Sequence, residues 1–83
     1  MKIRLRFIVV EAPAEFPVAE DGCAVMDIAD GLTVDRALAS LALPGDATYL
    51  TLVNDESIPV AKRHNRRLRE GDLLTVFSPL KGG

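Results

Sequence analysis

Hydrophobic and polar residues alternate from the second position of the chain: in KIRLRFIVV, Ile3, Leu5, Phe7 and Val9 oppose Lys2, Arg4 and Arg6. A period of two belongs to a strand with one buried face. The segment EAPAEFPVAEDG, with two prolines and a closing Asp21-Gly22 turn signal, follows as a loop and leads into CAVMDI. That run predicts an antiparallel return strand in which Ala24, Met26 and Ile28 share one face and Cys23, Val25 and Asp27 the other.

The period then changes. In GLTVDRALASLALPG, Val34, Ala37, Leu38 and Leu41 recur at helical spacing, Thr33 can accept the first-turn N–H groups, and Asp35 complements the helix dipole. Arg36 stands where a capping box would need Glu or Gln, and Pro44-Gly45 closes the segment. TYLTLVN reads as a third strand, Asn54-Asp55 as a turn, and SIPVA as a short strand that Pro59 confines to an edge. KRHNRRLREGD is a polar connection, and LLTVFS is the last strand. The order is β-β-α-β-β-β, an α+β arrangement with one helix covering a mostly antiparallel or mixed sheet.

With 83 residues the chain builds one modest core, and residues 1–79 are expected to form a single domain, with 80–83 a flexible tail. Ten basic against 12 acidic residues leave a net charge of −2, which does not draw the chain to nucleic acid or an anionic membrane. One cysteine cannot close an internal disulfide, and no apolar run has the length of a membrane span, so a cytoplasmic location is expected.

Candidate chemistry inside the domain is sparse. One Cys and one His, far apart in sequence, do not make a metal site, so no metal is expected. His64 lies among cations and reads as an exposed loop residue; Cys23 opens an apolar strand and reads as a small hydrophobe rather than a redox thiol. Gly22, Gly31, Gly45 and Gly71 are isolated turn glycines, not a phosphate-binding loop, so no bound cofactor is expected and any ATP is used by a partner enzyme. Lys62, Arg63, Arg66, Arg67 and Arg69 cluster in eight positions, but without an aromatic platform they read as a solvated connection or a docking patch for an acidic protein.

The chain ends Ser-Pro-Leu-Lys-Gly-Gly. Two glycines carry no side chains, so such an end can thread a narrow channel to a buried phosphate, where a partner can activate the otherwise unreactive carboxylate as an acyl-adenylate. Together with LVNDES, LREGDLLTVF and the strand-helix order, this ending resembles the MoaD/ThiS family of ubiquitin-like sulfur carriers. The resemblance covers nearly the whole chain and implies a β-grasp fold, a mixed sheet of four to five strands under one main helix.

It further implies a protein cosubstrate rather than an enzyme. Gly83 would be adenylated by an E1-like adenylyltransferase, converted to a thiocarboxylate by a persulfide sulfur donor, and presented to a sulfur-accepting synthase for molybdopterin or thiamin thiazole; Gly82 would give access. The Phe77, Pro79, Gly82 and Gly83 spacing resembles the small subunit of molybdopterin synthase, whereas VNDESIPV is equally similar to thiamin-type carriers. Alternatives are a ubiquitin-like modifier conjugated through Gly83 and a β-grasp interaction module. If Leu74 and Val76 face the helix, Leu73, Thr75 and Phe77 face outward and, with Leu80, form a docking patch; Phe77 packed on neighbours at the sheet edge is the competing reading. Lys62, Arg63, Arg66, Arg67 and Lys81 could steer an acidic E1-like partner.

Overall fold

A computed structural model describes residues 1–10, 12–43 and 49–78 of the chain. β1, Lys2–Ile8, pairs antiparallel with β2, Cys23–Asp27, and Asp21-Gly22 makes the turn into β2. The Asp21 Oδ1 accepts the Cys23 N–H at 3.0 Å and Gly22 takes φ +83°, a backbone value that glycine adopts without Cβ strain. Val9, expected to continue the alternation, instead leaves the strand with φ +56° and 60% exposure. Hydropathy could not register that reversal, because its cause is the chain's change of direction at the sheet end.

α1, Val34–Ser40, begins as the pattern predicts. Thr33 Oγ1 accepts the Arg36 N–H at 3.3 Å, and the preceding first-turn donors go to carbonyls of the polar connection: Val34 N–H to Arg66 at 2.9 Å and Asp35 N–H to Arg63 at 3.2 Å. The donors that every helix leaves open at its N-terminus are thus satisfied within the domain. At the other end Ala42 takes φ +50°, a position after a helix usually given to glycine. Pro44-Gly45, read as the end of this segment, lies outside the described residues.

β3, Leu50–Val53, turns through Asn54 and Asp55, both at positive φ (52° and 69°), into β4, Glu56–Ile58. Two such residues match the right-handed twist of a hairpin and set the Val53–Glu56 register. Pro59 then ends the strand and caps a 3₁₀ turn, Val60–Lys62, so β4 is shorter than SIPVA suggested. β5, Leu73–Phe77, runs parallel to β1 and antiparallel to β3. The sheet order β2-β1-β5-β3-β4 places β5 at the centre and β4 at an edge, where Pro59 costs no ladder bond.

The core lies between one sheet face and α1. Ile3 and Leu5 of β1, Ala24 and Met26 of β2, Val53 of β3 and Leu74 and Val76 of β5 are buried with Val34, Ala37 and Leu41 of the helix segment. Leu68, inside the polar connection, is also buried, and its N–H donates to the Leu32 carbonyl at 2.8 Å. One mixed sheet under one helix is the β-grasp, ubiquitin-like fold. Among the described residues no helix is long and apolar enough to cross a membrane.

Candidate functional site: the helix-free sheet face and the end of β5

The face opposite α1 is ordered in rows by the strand register. Beside the last residues of β5, Leu50, Phe77 and Ile8 stand across three adjacent strands. The next row holds Leu52, Thr75, Arg6 and Cys23, and a third holds Leu73, Arg4 and Val25. Leu50 is 46% exposed and Val25 57%, while Ile8, Leu52, Leu73 and Phe77 are half-buried. Neighbouring strands lie about 4.8 Å apart, so the first row is a continuous apolar band roughly 10 Å wide. The chain leaves the sheet next to it: Ser78 N–H donates to the Ile8 carbonyl at 3.1 Å.

Leu73 and Phe77 therefore lie on the expected face. Phe77 does so from the central strand, flanked by Ile8 and Leu50, and not from a sheet edge. Thr75 needs correction: it is on that face but 0% exposed, so no partner can touch it. The cause is Arg6, whose Nε–H donates to Thr75 Oγ1 at 3.1 Å and whose Nη2 reaches Asp55 Oδ1 at 2.6 Å, laying the side chain across β5. Ile8, Leu50 and Leu52 were missed. Alternation assigns a residue to a face, but only the register, with β5 between β1 and β3, gathers these three around Phe77.

Arg63 is the second correction. It is 7% exposed; its Nε–H donates to Thr51 Oγ1 at 3.1 Å and its Nη2 to the Tyr49 carbonyl. Burial pushes the guanidinium below its ordinary value, and Asp35 partly opposes that shift. Arg63 holds β3 to the connection after β4, and it has no exposed charge with which to steer a partner. Lys62, Arg67 and Arg69 are exposed and Arg66 half-buried. Arg67 and Arg69 lie near the start of β5, the pole opposite the apolar row, whereas Lys62 follows β4, whose Ile58 is level with Thr51 and Val76.

Two residues in the quoted motifs, Asn54 and Asp72, meet in space. Asn54 Nδ2 donates to Asp72 Oδ1 at 3.0 Å, Asn54 Oδ1 accepts the Leu73 N–H at 3.0 Å, and Asp72 Oδ2 accepts the Arg69 N–H at 2.8 Å. VN and GD are thus the two halves of a clamp between the β3–β4 turn and the start of β5.

Cys23 is half-buried beside Arg6, and His64 is exposed in its loop. No group of His, Cys, Asp and Glu suited to a metal ion occurs among the described residues. Leu80, Lys81, Gly82 and Gly83 lie outside the described residues.

No curated protein matches the sequence. Among solved structures, the crystal structure of SAMP1 from Haloferax volcanii is similar: 25% sequence identity, 100% of both chains covered, and a TM-score of 0.65. The ThiS family matches residues 17–83, a span that includes β2 to β5, the Asn54–Asp72 clamp and the terminal glycines. By that match, and with the β-grasp sheet it runs through, the chain belongs to the ThiS family.

Proposed function

We propose that the chain is a sulfur carrier that works through the carboxylate of Gly83. The observation that supports this most is position: the strand leading to Gly82-Gly83 is the central one, and it ends beside the apolar row of Leu50, Phe77 and Ile8. An E1-like adenylyltransferase that covers this row receives the five following residues, 79–83, which can reach at most about 17 Å. A terminus without side chains at its last two positions suits a closed nucleotide site.

The chemistry is then supplied by partners. A Gly83 carboxylate oxygen attacks the α-phosphorus of ATP, pyrophosphate leaves, and the acyl-adenylate forms. The terminal sulfur of a persulfide donor attacks the acyl carbon and AMP departs. A thiol then reduces the resulting disulfide bond, leaving a thiocarboxylate on Gly83. A sulfur-accepting synthase, of the molybdopterin or thiamin thiazole type, takes the sulfur and returns the carboxylate. The chain acts as a protein cosubstrate in the cytoplasm, or as the small subunit of a molybdopterin synthase-like complex, with no cofactor of its own.

The likeness to SAMP1 is equally compatible with a ubiquitin-like modifier joined through Gly83 to a lysine of another protein. Intact-mass measurement of the chain isolated with its partners separates the two. A mass gain equal to replacement of one oxygen by sulfur at the C-terminus is the expected result; isopeptide-linked species without it would establish the modifier. Retention of biological activity after removal of Gly82-Gly83 would refute both readings and leave a β-grasp interaction module.

A further inference from the structure

The basic connection is built as a surface in its own right. Its backbone faces inward, with the carbonyls of Arg63 and Arg66 accepting the first N–H groups of α1 and the Leu68 side chain in the core. Its remaining cations face outward around two adjoining clefts. One, about 490 Å³, is lined by Arg66, Arg67 and Arg69 with Met1, Gly31 and Glu70. The other, about 280 Å³, is lined by Lys62 and Arg66 with Ile58, Pro59 and Glu56, and Asn65 borders both.

Among the described residues the one ion pair is Arg6–Asp55, so no described carboxylate lies within 4.0 Å of Lys62, Arg66, Arg67 or Arg69. Glu70, the acid nearest in sequence, accepts the Lys2 N–H, and Asp72 accepts the Arg69 N–H and the Asn54 amide. Arg66 spends one Nη1 donor on the Arg67 carbonyl and keeps the rest. Among the described residues, Arg66, Arg67 and Arg69 around the larger cleft, and Lys62 beside β4, have no carboxylate partner.

We propose that the pole around the larger cleft is a second docking site, for an acidic peptide segment of a partner protein. Guanidinium forks bind carboxylates through paired charge-assisted hydrogen bonds, and the three arginines lining the larger cleft suit adjacent Asp or Glu side chains. A nucleic acid fits less well, because neither cleft is lined by an aromatic side chain for stacking and the net charge of −2 opposes a long polyanion. Location gives the site its use. β1 and β5 are parallel; the larger cleft, with Met1, Arg69 and Glu70, lies at their start, the smaller runs along β4, and the terminal segment leaves from their end. Five residues of β5 separate the larger cleft from that end by about 16 Å, so an acidic segment can be held there while the terminus is engaged elsewhere.

The test uses the full chain and a synthetic end-blocked peptide of alternating Glu and Asp, followed by amide chemical shifts and by titration at low ionic strength. The expected result is movement of the amides of Gly31 and residues 65–69 with those of Leu50 and Phe77 unmoved. Affinity should fall at least about tenfold in Arg66→Glu/Arg67→Glu, with thermal melts confirming the fold, and change less than about twofold in Arg4→Glu. Should the double charge reversal unfold the chain, Arg67→Met alone carries the same comparison. Absence of peptide binding, an equal loss in Arg4→Glu, or tighter binding of a single-stranded oligonucleotide of the same charge would overturn the proposal. None of these readouts involves Gly83, so failure here and failure of the sulfur-carrier reading are distinguishable.

Discussion

Replacing Asn54 by Ala should cost about 3 kcal/mol, far more than an ordinary exposed-turn substitution. Three contributions are visible. The bond from Asn54 Nδ2 to the Asp72 carboxylate, partly buried at 3.0 Å, is charge-assisted and worth about 1.5 kcal/mol. The bond from the Leu73 N–H to Asn54 Oδ1 is exposed, water replaces it, and its loss costs about 0.5 kcal/mol. Finally, Asn54 sits at φ +52°, where Ala costs about 1 kcal/mol and Asn is tolerated. Asn54→Gly loses both hydrogen bonds but relieves the φ, so it should cost only about 2 kcal/mol.

Against a total stability of about 4–12 kcal/mol for a domain of this size, the Ala variant should melt lower by about 12–24 °C. Urea unfolding followed by circular dichroism measures both variants, and a cycle with Asp72→Ala isolates the bond, with an expected coupling of about 1.5 kcal/mol. Equal losses for Ala and Gly would refute the φ contribution. Additive single variants would refute the clamp.

Three further outcomes follow from particular side chains. Val9→Gly and Ala42→Gly, at φ +56° and +50°, should each raise stability by about 0.5–1 kcal/mol, seen as a higher urea midpoint with an unchanged slope. Arg63→Met should lower stability by about 2 kcal/mol, because it takes a buried donor from Thr51 Oγ1, whereas Arg66→Met should stay within about 0.5 kcal/mol of the parent in the same titration. Phe77→Ala removes at most about a third of a Phe surface from the apolar row, so its affinity for the adenylating partner, measured by calorimetry, should fall by about 1.4 kcal/mol or ~10-fold, while loss of the buried remainder of the ring lowers the melt without unfolding the chain; unchanged affinity would sink the docking role of that row.

What could be read from residue order divides along a physical line. The elements, their faces and their caps are local: Thr33 caps what it begins, Asn54-Asp55 turns what it joins, and Leu74 and Val76 point where alternation sends them. Thr75 and Arg63 were misread because their burial is decided by side chains distant in the chain. Arg6 covers Thr75 across a strand pairing of |i−j| = 69, and Arg63 reaches Thr51 across 12 positions. No window of a dozen residues contains the first of these contacts. In KRHNRRLREGD the same limit conceals Leu68, which is core, and Arg63 and Asp72, which are buried and structural, among more exposed residues.

The central position of β5 has the largest functional consequence, and it too is non-local. A last strand at a sheet edge would present Phe77 with one neighbour and leave an unpaired ladder beside the terminal segment, open to strand addition. Inserted between β1 and β3, the same residues have both ladders filled, so a partner cannot add a strand to β5 and must bind the row formed by Leu50, Phe77 and Ile8. Recognition at this end then depends on shape and apolar area across three strands. At the opposite end, where Arg66 and Arg67 have no ion-pair partner among the described residues, it depends on charge. Raising the salt concentration should therefore weaken an acidic segment bound at the basic pole and leave contacts at the apolar row nearly unaffected, so a partner that uses both surfaces should lose only part of its affinity.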